Sequence, residues 1–388
     1  MKVVLSIEAI HPPLAGIGRY AWELATRLPQ FADVEQVRYM SDGFWCGLPP
    51  LESLRGGAPA AGSAGGLKAG LRRIAARLPA ASALYQRVRP MLAARRLNQV
   101  REGVFHGPNF FVPQSRIPSV VTIHDLSVYR HADWHPRLRV ERMKRDVPQA
   151  LQRAAAVITD SEAVRQEVLQ QFNLPPQKVH TVWVGVDEAY QPRSAQQTAA
   201  VLQQYGLRHD GYSLFVSTIE PRKNLENLLA AYRALPPAER QQWPLVVAGG
   251  PGWLSDNIHQ QLQQAHSEGW LHYLGFADQS HLPALYAGSR LFVYPSWYEG
   301  FGIPLAEAMA SGVPVLTSNC SSMPEVAAGA ALLVTPADVR DITENLRRGL
   351  QDEHWRAAAR ERGLARAREL SWDACVRNTV NVYKAAYR

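Results

Sequence analysis

The chain has 388 residues, 46% of them apolar, with a formal charge of +8 and three cysteines. That length exceeds one ordinary core, so two domains are expected. Cys46, Cys320 and Cys375 are too few and too scattered for a disulfide framework or a cysteine metal site. No run of about 18 apolar residues suggests a spanning helix, and the twelve histidines show no metal-ligand spacing.

In chain order, "MKVVLSIEAIHPP" reads as a first strand and not as a signal peptide, because it has no apolar h-region and no small-residue cleavage site. Next, "HPPLAGIGRYAWELA" sets Gly16 and Gly18 between that strand and a helix. It partly fits a dinucleotide fingerprint, but eight residues separate Ile7 from Gly16 where a tight turn is needed. Leu48 to Gly66 is rich in Gly, Pro, Ala and Ser and reads as a mobile loop. From Lys68 to Arg96 come eight basic residues and no acidic one, with Leu71, Ile74, Leu78, Leu84 and Val88 among them. An anionic membrane surface suits that mixture, and an ordinary solvated basic face is the alternative. No zinc spacing, recognition helix or aromatic interleaving favours nucleic acid.

"HGPNFFVP" from His106 is a loop following a strand. "SVVTIHD" and "AAVITDS" are nearly continuous apolar strands, the first ending on His124 and Asp125, and Ser161 sits where a helix N-cap belongs. A His before an Asp is often a buried, satisfied pair, but at a strand end it can also face a ligand. Val184 to Gly206 turns Pro-, Ser- and Gln-rich and reads as the connection between two halves.

A second series of strands follows in "SLFVST", "LVVAGG", "LFVYPS" and "VPVLTS". Strands alternating with amphipathic helices indicate parallel sheets covered on both faces, with ligands beyond the carboxyl ends. "STIEPRKN" puts Arg222 and Lys223 between such an end and a new helix, which suits a diphosphate and equally a solvated basic turn. In "YPSWYEGFGIPLAE", Gly300 and Gly302 bracket Phe301 before a helix opened by Pro304, with Glu299 in the loop and Glu307 on the helix. Free backbone N–H groups at a helix start favour an anion or a hydroxyl-rich ligand there, and two solvated charges are the plain alternative. "SWDACVRNTVNVYKAAY" reads as a final helix capped by Ser371.

The Glu-x7-Glu spacing, with "YPS" before it and "GVPV" after it, resembles the donor-binding signature of the retaining, GT-B-type glycosyltransferases of family 4, and the likeness runs from Leu274 to Pro336. It implies an α/β GT-B fold of two Rossmann-like domains facing across a cleft. The expected divisions are an acceptor domain over 1–190, a linker over 191–210, a nucleotide-sugar domain over 211–368, and a helix over 369–388 returning to the first domain. Carried over position by position, Glu299 contacts the transferred sugar, Glu307 the ribose, and the Gly300–Gly302 backbone the sugar and phosphate. Lys223 fills the family's lysine slot. The arginine slot holds Thr218, which leaves Arg222 to replace it from across the loop. Gly16 and Gly18 face the diphosphate, and His124 lies by the sugar's primary hydroxyl. Gly249, Phe276, Phe301 and Ile303 complete the donor set, while Asn109, Phe110 and Asp125 line the acceptor side.

The "EPRKN" variant resembles the branch using GDP-mannose or a related GDP-hexose such as GDP-D-rhamnose for surface polysaccharide. The resemblance thus implies a retaining hexosyltransferase with no metal or other cofactor. Its acceptor would be a polyprenyl-diphosphate-linked saccharide, met at the inner face of the cytoplasmic membrane. A synthase or phosphorylase of the same fold, or a non-catalytic sugar-nucleotide binder, is the alternative.

Overall fold

The structure is a computed structural model describing the chain apart from residues 13, 15, 52, 54–78 and 388, and apart from the side chains of 79–87. Most of the basic segment from Lys68, and most of the loop from Leu48 to Gly66, therefore lie outside the described residues.

Two sheets form, one from each half of the chain. The first has the order β3-β2-β1-β4-β5-β6-β7, and the second the order β10-β9-β8-β11-β12-β13. Its strands are β1 (Lys2–Ser6), β2 (Gln36–Ser41), β3 (Phe44–Cys46), β4 (Val104–Gly107), β5 (Ser119–Ile123), β6 (Ala156–Thr159) and β7 (Val179–Thr181). The second sheet holds β8 (Ser213–Val216), β9 (Leu245–Ala248), β10 (Leu271–Gly275), β11 (Leu291–Tyr294), β12 (Val315–Ser318) and β13 (Ala331–Val334). All pairings are parallel except β2 with β3.

Central strands such as β5, β9 and β11 are buried along their whole length, as helices on both faces require. In each sheet the order reverses beside the first strand of that half, which opens a crevice at the carboxyl ends. For the second sheet, that crevice lies between the loops after β8 and after β11.

The chain crosses between the sheets twice, side by side. Val186 donates its backbone N–H to the Leu370 carbonyl at 2.9 Å, and Val186 pairs with Ser371 in a β-bridge. Ser371 then caps the helix Trp372–Tyr387, its Oγ accepting from Ala374 N–H at 3.1 Å. That helix lies against Ile17–Arg27 and against β4, β5 and β6 of the first sheet. Its Tyr383 hydroxyl meets His106 Nδ1 at 2.7 Å, and His106 Nε2 meets Thr122 Oγ1 at 2.8 Å. Burial pushes His106 down to about 3, so it stays neutral in this network.

Candidate active site

A cleft of about 540 Å³ runs between the carboxyl ends of the two sheets. Gly16, His124, Asp125, Thr218, Arg222, Lys223, Gly249, Phe276, Glu299, Gly300, Phe301, Gly302, Ile303 and Glu307 all line it. Gly18, Asn109 and Phe110 do not: Gly18 packs against the Ala9 carbonyl, while Phe110 is buried edge-on to the His124 ring, 5.7 Å between centroids.

The loop after β11 is pinned before it reaches the ligand side. Ser322 Oγ donates to the Glu299 carbonyl at 2.9 Å and to the Phe301 carbonyl at 3.1 Å. Gly300 packs so closely on the His124 carbonyl that a Cβ there would overlap it, so only glycine fits. Gly302 caps the helix Ile303–Ala310 with φ of 94°, a left-handed conformation that favours glycine, and Pro304 occupies the first turn.

Inside this frame the charges converge. Arg222 Nη1 lies 2.6 Å from Glu299 Oε2, and Lys223 Nζ lies 2.6 Å from Oε1. Lys223 also donates to the Tyr294 hydroxyl at 2.8 Å, and Arg222 Nε to Glu220 at 2.5 Å. Burial alone would raise Glu299; the two cations overcome it and hold the carboxyl down at about 2. Burial and the neighbouring Arg222 push Lys223 below the usual lysine range, while Glu299 and Glu220 act the other way. Burial also acts to lower Arg222, but Glu299, Glu220 and Asp125 raise it overall. A guanidinium thus reaches the cleft from four residues beyond the Thr218 position.

Glu307 has a different setting. Burial raises it to about 7, although the neighbouring Tyr286 and Tyr190 hydroxyls and Arg19 act to lower it. The tyrosines come from helix Leu282–Ala287 and from the crossover segment, positions that no local motif singles out. Arg19, one residue past Gly18, also lines the cleft and is ion-paired with Glu23 and Asp187.

His124 is buried with Nδ1 at 2.7 Å from Asp160 Oδ2 and Nε2 at 2.8 Å from the Pro108 carbonyl. Burial pushes the imidazole down, but Asp160, the Pro108 carbonyl and Asp125 together lift it above the ordinary histidine value. Asp160 stands one residue past β6 at the end of "AAVITDS"; a carboxylate at a strand end was the available signal for it.

Bonds between the domains close the cleft's floor and rim. Ser161 Oγ accepts from Val164 N–H, capping its helix, and donates to the Gly300 carbonyl at 2.6 Å. Glu325 accepts from Glu162 N–H at 2.9 Å, Ala163 N–H at 3.1 Å and Trp183 Nε1–H at 2.7 Å. Tyr298 donates to Glu167 at 2.5 Å, and Trp253 Nε1 donates to the Trp134 carbonyl at 2.6 Å. Among the described residues no group of three or more His, Cys, Asp or Glu could hold a metal ion.

Comparison with known proteins agrees with this architecture. Residues 14–190 match the family model "Glycosyltransferase Family 4", and 202–366 match "Glycosyl transferases group 1". The O-antigen chain mannosyltransferase B of Escherichia coli is 39% identical over 385 residues, covering 99% of this chain and 100% of that one. Among solved structures, WaaG, a glycosyltransferase involved in lipopolysaccharide biosynthesis, superposes with a TM-score of 0.70 at 17% identity, covering 98% and 99% of the two chains. Anabaena HepE in complex with UDP-glucose gives a TM-score of 0.66 at 16% identity over 99% and 100%. With two crevices facing across one cleft, both family models in order and an end-to-end relative, the chain belongs to the family 4 glycosyltransferases of GT-B fold, enzymes that transfer a sugar from a nucleotide-sugar donor.

Proposed function

We propose that this glycosyltransferase moves a hexose, D-mannose or D-rhamnose, from its GDP ester to a saccharide carried on polyprenyl diphosphate, with retention at the anomeric carbon. The carrying observation is the convergence of Arg222 and Lys223 on Glu299, in front of the Gly300–Gly302 loop. Two cations and a helix start suit a leaving diphosphate whose charge grows as the glycosidic bond breaks. Glu299 holds those cations apart from ligand. An incoming diphosphate takes them over and frees both carboxylate oxygens for sugar hydroxyls.

In the step itself, the C1–O bond breaks and its electron pair goes to the β-phosphate oxygen. The acceptor oxygen bonds C1 on the same face, and its proton passes to that phosphate oxygen. Glu307 accepts from the ribose in this reading, and the neighbouring tyrosines orient it. The mannosyl assignment draws on the Escherichia coli relative's name. Incubating the purified chain with GDP-mannose, GDP-D-rhamnose and UDP-glucose, and following the anomeric proton of the product by NMR, tests it. Preference for UDP-glucose, or an inverted product, would sink the proposal.

Attachment to the inner face of the membrane belongs to the same proposal. No helix among the described residues is long and apolar enough to cross a membrane. Two cations of the basic segment are engaged in the first domain: Arg89 pairs with Glu8 and with Asp42, and Arg96 lies over the Phe44 ring at 4.3 Å. Met91, on the same helix Pro79–Leu97, is 71% exposed. Flotation with liposomes should require anionic lipid and weaken between about 0.1 and 0.5 M NaCl as the Debye length shrinks. Equal flotation with neutral lipid would remove the membrane from the reading.

A further inference from the structure

The His124 ring is held at both nitrogens, and one of its holders has an oxygen to spare. The Pro108 carbonyl at 2.8 Å can only accept, so Nε2 carries a hydrogen. A second proton lies on the 2.7 Å line between Nδ1 and Asp160 Oδ2. Tyr20 and Phe110 meet the ring edge-on at 5.1 and 5.7 Å. The ring therefore presents no free lone pair to a substrate.

Asp160 is 6% exposed and lines the cleft with His124 and Glu299, and its Oδ1 is buried with no hydrogen-bond partner. Buried carboxylate oxygens normally have a donor. Glu299, in contrast, has both oxygens occupied by cations. Next in the chain, Ser161 is bonded to the Gly300 carbonyl, so Asp160 stands beside the contact between the first domain and the glycine loop.

We propose that Asp160 is a substrate-binding carboxylate of this cleft: Oδ2 orients the His124 ring, and Oδ1 accepts a hydroxyl of a bound saccharide. The inference rests on the glycosyl-transfer reading of the cleft. The hydroxyl belongs either to the donor hexose or to the acceptor sugar, and the two are separable by experiment.

Asp160→Ala and Asp160→Asn are compared with the wild-type full chain for GDP affinity, for the KM of GDP-mannose and of acceptor saccharide, and for the ¹⁵N signals of the His124 ring. GDP affinity should stay within about twofold throughout. Asp160→Ala should raise the KM of one saccharide at least about tenfold and shift the ring signals. The alanine's effect falling on the donor KM assigns the hydroxyl to the hexose being transferred; falling on the acceptor KM, it assigns it to the acceptor. Asp160→Asn keeps one accepting oxygen while its amide faces Nδ1, so it should recover much of that KM yet still shift the ring. An alanine variant with both KM values within twofold of wild type overturns the inference. Wild-type protein that transfers from no nucleotide sugar overturns the transfer reading instead; unchanged ring signals in both variants would then overturn the orienting role of Asp160.

Discussion

Residue by residue, two of the cleft's glutamates, Glu299 and Glu307, differ in charge state, and that difference is testable. Glu299 stays ionised because Arg222 and the buried Lys223 face it. Glu299→Gln leaves Arg222 and Lys223 with Glu220 as their remaining close carboxylate and so more open to a diphosphate. Turnover should fall about 100-fold or more, a loss of roughly 3 kcal/mol in transition-state stabilisation, while affinity for free GDP holds or rises; calorimetry beside initial rates checks both. A parallel loss of GDP affinity would contradict the assignment. Glu307 shows the opposite behaviour. Burial raises it from 4.5 to about 7, so between those values the folded chain keeps a proton that the unfolded chain has released. Its contribution to stability therefore declines as pH rises through that window, and the cost is complete above 7. Glu307→Gln should raise Tm at pH 8, by about 2–4 °C for each kcal/mol of ionisation cost it removes, and by little near pH 5. Thermal melts at the two values decide it; an equal gain at both would mean that packing, not ionisation, is responsible.

At the scale of elements, what was legible follows from how local the signal is. Strands such as β5, β8, β9, β11 and β12 are buried on both faces, so their apolar runs appear uninterrupted in the sequence. The hairpin of β2 and β3 and the strands β7, β10 and β13 were not singled out, and β4 was read only as a strand preceding the His106 loop. None of β2, β3, β7, β10 and β13 is buried along its whole length, so none carries the pattern of a strand covered on both faces. The glycine loop, the Arg222–Lys223 turn and the two glutamates could be read because each is a contiguous motif at a strand end. The tyrosines beside Glu307 and the role of Glu325 could not, since they depend on which distant segments meet in the fold. Glu325 caps the first-domain helix Glu162–Phe172 from the short helix Met323–Ala327 of the other domain. Glu325→Ala removes a carboxylate that serves three donors at once and should cost about 2 kcal/mol, read as a lower denaturant midpoint. A midpoint within error of wild type would show that water replaces the cap at no cost.

For the whole molecule, a set of hydrogen bonds and two adjacent crossovers join the two sheets, and relative motion of domains joined in this way is the ordinary expectation. The proposed diphosphate site draws on the second domain, while Gly16, His124 and Asp160, which also line the cleft, come from the first. Ligand that touches both should favour the closed arrangement. Small-angle scattering should give a smaller radius of gyration with GDP-sugar than without, and superimposable profiles at saturation would argue for a rigid cleft. The returning helix Trp372–Tyr387 has a further consequence, for synthesis. Val376, Val380 and Tyr383 complete the first domain's core, yet they are translated after the entire second domain. The first domain to leave the ribosome is thus the last to be finished. It waits through the making of nearly two hundred residues with one apolar face of its sheet uncovered, and its final packing step closes a loop almost as long as the protein.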